Sequence, residues 1–275
     1  MAARRAARRA TLTSGIAGVL LLLVNAFVVL YPHHLFQMGL GGPQISGTPL
    51  ASLLIFLAVY AVGELTWPRP EGGRREARLT ARTPARVAPP LARRLVWGWL
   101  GALAVVTVVF GLMASGPRHI ARVFGDDKAF TVRIFPGWEW AGPVLAAGIL
   151  VVACTELVLR LVAVRPAASG VDPGWDLWLR RRTTRRALGG VQLVIGLTVA
   201  GLVVIGGRSL LWLGNVGPMG VGPRPEVSEG YIIAGGAGIL LGLSLAVAAV
   251  AAACWPSRDP APDVLVGAER AGVPS

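Results

Sequence analysis

The chain has 275 residues, of which 54% are hydrophobic and only 15% charged. An ordinary globular domain carries roughly 25% charged residues, so a water-soluble fold would leave far too much apolar surface uncovered. The formal net charge of +13 is no argument for a nucleic-acid partner, because arginines that set membrane topology produce the same excess.

The first element opens with Arg4, Arg5, Arg8 and Arg9, and no Asp, Glu, Lys or Arg follows until Glu64. Equally uncharged gaps separate Arg94 from Arg118 and Arg186 from Arg208. A helix needs about 20 apolar residues to cross roughly 30 Å of hydrocarbon. Six stretches meet that length, at residues 12–30, 49–65, 95–114, 141–164, 187–206 and 231–254. They lack the alternation of barrel strands, and only helices or closed barrels satisfy their backbone in lipid. The expected fold is therefore all-α, a polytopic bundle of about six spans. The first stretch also resembles the start of a secretory signal peptide. It is longer than a signal core, and Tyr31-Pro32-His33-His34 is a poor cleavage site, so it is read as a span.

Around the membrane domain of residues 11–254, the connecting segments divide by composition. Residues 1–10 form a basic N-terminus, and residues 255–275 read as a disordered tail. Segment 67–94 mixes Pro68, Pro70, Pro84, Pro89 and Pro90 with scattered arginines, a composition that should stay flexible. The loop from Ser115 to Trp140 ends in Phe135-Pro136-Gly137-Trp138-Glu139-Trp140, which suits an aromatic belt at headgroup depth. Segment 165–186 reads as a short interfacial helix. Trp175 and Trp178 fall on one face, and Arg180, Arg181, Arg182, Arg185 and Arg186 are expected to meet anionic lipid headgroups.

The arginines also orient the chain. With both termini in the cytoplasm, most of the 27 basic residues lie inside, and the outer loops keep only Arg118, Arg122, Lys128, Arg133, Arg208 and Arg224. Basic residues resist translocation, so an N-in, C-in topology is expected. Every basic residue except Lys128 is arginine, in a background of Ala, Gly, Val and Leu. That bias suits a GC-rich bacterial genome, hence a bacterial plasma membrane.

Arg pairs precede the first, third and fifth spans (Arg8-Arg9, Arg93-Arg94, Arg185-Arg186), a weak hint of three repeated hairpins. In the sixth span Ala234, Gly238, Gly242 and Ala246 recur every fourth residue and form a helix-packing stripe, expected against a neighbour in the same bundle. Cys154 and Cys254 read as small hydrophobes rather than a disulfide framework.

Ionisable groups inside a span are functional candidates, because a charge at the bilayer centre costs at least about 2.5 kcal/mol. Here they are Glu64, Glu156 and Arg160. Glu156 and Arg160 stand four apart with Glu first, so a local helical ion pair is expected. A metal site would have to combine His33, His34 and His119 with Asp126 or Asp127. No HxxxH or HExxH spacing supports it. The sequence carries no Walker A loop, dinucleotide fingerprint, CxxC or GxSxG elbow, so no cofactor or catalytic residue is assigned. These features point to a non-enzymatic accessory, scaffold or assembly component with anionic lipid and either a membrane-complex partner or a homo-oligomer as its partners, and no nucleic acid. The alternatives are a small-solute or ion transporter using Glu64 and Glu156, and a membrane enzyme without a recognisable motif.

Overall fold

The structure is a computed structural model that describes residues 2–30, 42–67, 83–124, 128–167, 172–215 and 227–254. In chain order the described residues form α1 (Ala2–Leu30), α2 (Gly42–Leu65), α3 (Pro84–Val87), α4 (Pro90–Met113), β1 (Ile120–Phe124), β2 (Lys128–Val132), α5 (Trp138–Val164), α6 (Pro173–Asn215) and α7 (Glu229–Ala253). All helices but the four-residue α3 are long and apolar enough to cross a membrane. The chain is a multi-pass helical bundle.

Local chemistry explains the boundaries. Ala, Leu and Arg are strong helix formers, so α1 runs without interruption from the basic residues into the first span. Proline costs nothing at the first position of a helix, where its missing N–H has no partner to lose. Pro84 and Pro90 take that place in α3 and α4. Within the segment 67–94, residues 84–87 are helical, α4 starts at Pro90, and Val87 and Ala88 are buried. Residues 68–82 of that segment, like the tail 255–275, lie outside the described residues.

Two elements differ from the sequence expectation. Rather than a surface helix followed by a span, α6 is one helix of 43 residues, roughly 65 Å long at 1.5 Å per residue. Nothing between Arg180 and Leu188 breaks it, and Gly189 and Gly190 lie where a neighbour approaches. A Cβ on Gly190 would fall 2.7 Å from the Phe56 ring. The second difference is the loop after α4, which holds an antiparallel hairpin with Ile120 opposite Val132 and Phe124 opposite Lys128. Isolated hairpins are marginal, and this one is fastened to the bundle. Arg122 donates to the Leu213 carbonyl at 3.2 Å, and Ser209 on α6 donates to the Ile134 carbonyl at 2.7 Å.

The core lies among α2, α4, α5 and α6, filled by Leu53, Phe56, Leu103, Val151, Leu159, Leu188 and Ile195. The long α6 touches every other helix and both strands. The outer surface is just as apolar, with Leu22, Leu112, Ile233 and Val247 between 69% and 74% exposed. Leaving a large aliphatic side chain in water costs about 1.5–3 kcal/mol relative to burial. Hydrocarbon removes that penalty, so the two-sided apolar pattern matches a lipid solvent.

Polar groups gather at the two ends. One end, called the basic end below, holds the starts of α1, α4 and α6 and the ends of α2, α5 and α7, joined by contacts such as Arg9 to Thr66 and Gly189 to Ala253. The opposite end carries the β-hairpin, where Arg122 lies 5.8 Å from the Tyr231 ring at the start of α7.

Candidate functional site

The densest cluster of buried charge sits at the basic end, where α2, α5 and α6 converge. Glu64, Arg165, Asp176 and Arg180 are all under 9% exposed. Charges are almost never buried unless paired, and the pairings here are specific. Arg165, immediately after α5, donates from Nη1 to both Glu64 oxygens at 3.2 and 3.3 Å. The Arg165 guanidinium lies 4.0 Å from the centre of the Trp67 ring, in cation–π geometry. Burial disfavours its charged form and Glu64 beside it favours that form; a guanidinium stays charged in either case.

The second pair caps a helix. Arg180 donates from Nε to Asp176 Oδ2 at 2.7 Å, one turn back on α6. Its Nη1 reaches the Val162 and Ala163 carbonyls at 2.7 and 2.9 Å, and Nη2 the Arg165 carbonyl at 2.8 Å. The Val162 and Ala163 carbonyls belong to the last turn of α5, where carbonyls lack intrahelical donors and carry the negative end of the helix dipole. From α1, Arg9 closes the cluster: its Nη2 donates to the Thr66 carbonyl at 2.6 Å and to Thr66 Oγ1 at 2.7 Å, and it lies 5.9 Å from the Trp67 ring. Trp67, Trp175, Leu179 and Ala10 pack together as its apolar wall.

Glu156 lies elsewhere at the basic end. Arg93 on α4 donates to it from Nε at 2.8 Å and Nη2 at 2.9 Å, and Trp97 Nε1 adds a contact at 3.3 Å. The expected Glu156–Arg160 pair is thus not the one formed. Arg160 is exposed and has no ion pair among the described residues. The reason is geometric: a fork from the neighbouring helix satisfies both carboxylate oxygens at once, which a single contact along the helix does not. Glu64 and Glu156 are each held by their own arginine.

The arginines and tryptophans expected at lipid divide into two groups. Arg181 and Arg182 are exposed, Trp178, Arg185 and Arg186 are half-buried, and Arg182 lies 5.2 Å from the Trp178 ring. Trp175 and Arg180 point into the protein and are 1% and 7% exposed. The helix period explains the split. Positions 175, 176, 179, 180, 183 and 184 share the face that packs on the bundle, and arginines at neighbouring positions turn away from it.

The small-residue stripe of α7 packs on α6. A Cβ on Gly238 would lie 3.1 Å from Gly207 Cα, and one on Gly242 2.9 Å from the Ala200 carbonyl. Ala234 is exposed and Ala246 half-buried. The innermost positions are instead Gly235, Gly242 and Ala249, seven apart, the period of helices crossing at a shallow left-handed angle. Counting every seventh residue would have revealed this stripe.

No group of three or more potential metal ligands occurs among the described residues. Of the residues considered for a metal, His33, His34, Asp126 and Asp127 lie outside them. Arg118, between α4 and β1, pairs through Nε and Nη2 with Glu139 in the first turn of α5, which holds the guanidinium above its ordinary value. Both cysteines are free thiols. Comparison with known protein families, with curated proteins and with solved structures returns no match.

Proposed function

We propose that the protein is a non-enzymatic multi-pass component of a bacterial plasma membrane, a scaffold or accessory subunit with both termini and the basic end in the cytoplasm. The observation that carries this reading is the engagement of both intramembrane carboxylates by arginines of other segments, Glu64 by Arg165 and Glu156 by Arg93. A coupling carboxylate in a transporter must alternate between charged and neutral states or exchange a cation. Carboxylates clamped by guanidinium groups instead tie helices together.

The orientation follows from the arginines, which resist translocation. Exposed Arg181 and Arg182 on α6 offer anionic headgroups or an acidic partner surface a contact worth about 1 kcal/mol per residue. Extraction into lipid nanodiscs without detergent exchange tests the role. A defined complex larger than the monomer is expected, weakened by Arg181→Gln with Arg182→Gln. Recovery of the chain alone as a monomer overturns the scaffold reading. Loss of cation-linked uptake in proteoliposomes on Glu64→Gln or Glu156→Gln, with the fold intact, would replace it with transport.

A further inference from the structure

Arg165 presents a buried binding edge that no acceptor among the described residues reaches. Its side chain is 0% exposed, and only Nη1 is engaged, by Glu64. Among the described residues, Nε and Nη2 have no hydrogen-bond partner. These two nitrogens form the side edge of the guanidinium, whose parallel N–H bonds match the oxygens of a carboxylate or phosphate. The same edge is fully used elsewhere in this protein, by Arg93 on Glu156 and by Arg118 on Glu139. In Arg180 every nitrogen donates. An unsatisfied buried donor costs about 1–3 kcal/mol, more when charged, so a fork left over at the centre of a cluster calls for a further acceptor.

The fork is also held in place. Trp67 covers one face of the guanidinium at 4.0 Å, and Glu64 fixes the Nη1 corner, so the edge is not free to swing to solvent. Among the described residues the charge around it is unbalanced: Arg9, Arg165 and Arg180 face Glu64 and Asp176, which leaves one positive charge. Two more buried polar atoms of the cluster lack partners among the described residues, the Trp175 Nε1 donor and the Asp176 Oδ1 acceptor. A carboxylate ligand gives that acceptor nothing. A phosphate oxygen pair accepts from the fork, and a hydroxyl on the phosphate or on its headgroup donates to Asp176.

We propose that Arg165 binds one singly charged phosphate group, either dihydrogen phosphate or the phosphodiester of a lipid headgroup, between the Trp67 face and the start of α6. This site lies behind the exposed arginines and does not depend on the scaffold role.

Two probes distinguish the sources. Equilibrium dialysis of the full chain in mild detergent against radiolabelled inorganic phosphate, in a chloride buffer, reads the free anion. Native mass spectrometry after reconstitution in phosphatidylglycerol vesicles, with phosphatidylcholine vesicles as the reference, reads the lipid. About one phosphate group per chain is expected in one arm, and Arg165→Lys should weaken it roughly tenfold or more, because an ammonium keeps the charge but loses the fork. Arg9→Gln, at the partly exposed edge, should weaken it by removing the surplus charge, while Arg133→Gln at the far end leaves it unchanged. Absence of binding in both arms overturns the proposal, as does Arg165→Lys binding like the parent chain. If Arg165→Lys does not fold, unchanged binding by Arg9→Gln overturns it alone.

Discussion

Arg93 reaches from α4 to α5 and holds both oxygens of Glu156, at 2.8 and 2.9 Å. The two residues are 63 positions apart, while Arg160, four residues from Glu156 on the same helix, stays exposed. The pair is a cross-brace between neighbouring spans at the basic end. Arg93 is 39% exposed and Glu156 18%, so screening limits its strength. A double-mutant cycle of Arg93→Gln and Glu156→Gln should give a coupling of about 1 kcal/mol in detergent unfolding. Arg160→Gln should change stability by no more than about 0.5 kcal/mol. A larger effect at Arg160 than at Arg93 would restore the local pair.

Glu64 presents a harsher case, because its partner Arg165 has no access to solvent. Removing one member of a buried pair leaves the other charge uncompensated, at a cost of about 3–5 kcal/mol. Glu64→Gln is expected to lower the unfolding midpoint far more than Glu156→Gln, measured by chemical denaturation in the same detergent. Equal effects would mean that the Glu64 pair is not desolvated in solution.

The α6–α7 contact sets a steric test. A Cβ on Gly235 would meet the Gly207 carbonyl oxygen at 2.6 Å, whereas one on Gly236 meets nothing within 4 Å. Gly235→Ala should therefore destabilise by about 1–3 kcal/mol through overpacking. Gly236→Ala should be neutral or stabilising by up to about 1 kcal/mol, since alanine is the better helix former. Thermal unfolding of the two variants side by side decides it.

Topology is tested with the natural thiol Cys254, exposed at the basic end, and with Val123→Cys in a background lacking Cys254. Val123 is 69% exposed on the β-hairpin. A membrane-impermeant maleimide added to intact cells should label position 123 and spare Cys254 until the membrane is permeabilised. The reverse pattern would invert the proposed orientation.

The fold was legible where the solvent itself writes the pattern. Lipid demands long apolar stretches, and most of the six appear as uncharged gaps such as Arg9 to Glu64 and Arg94 to Arg118, while the fourth keeps Glu156 and Arg160. The β-hairpin was less visible. Its strands of five residues carry no strong alternation, and their anchors come from α6, as with Ser209 bonding Ile134. Among the ionisable residues, Glu64 and Glu156 stood out because charge in a span is costly. Arg165 did not, since it follows a span like any interfacial arginine.

By itself, the sequence determined six stretches long and apolar enough to cross a membrane and the gathering of arginines near one set of helix ends, both of which depend on composition within a window of about 20 residues. Tertiary structure alone decided which arginine meets which carboxylate. The local rule of four residues holds for Asp176 and Arg180, and fails for Glu156 because a guanidinium from another helix offers two parallel bonds. Glu64 and Arg165 are separated by 101 positions; only the packing of α2 against α5 brings their charges together out of water.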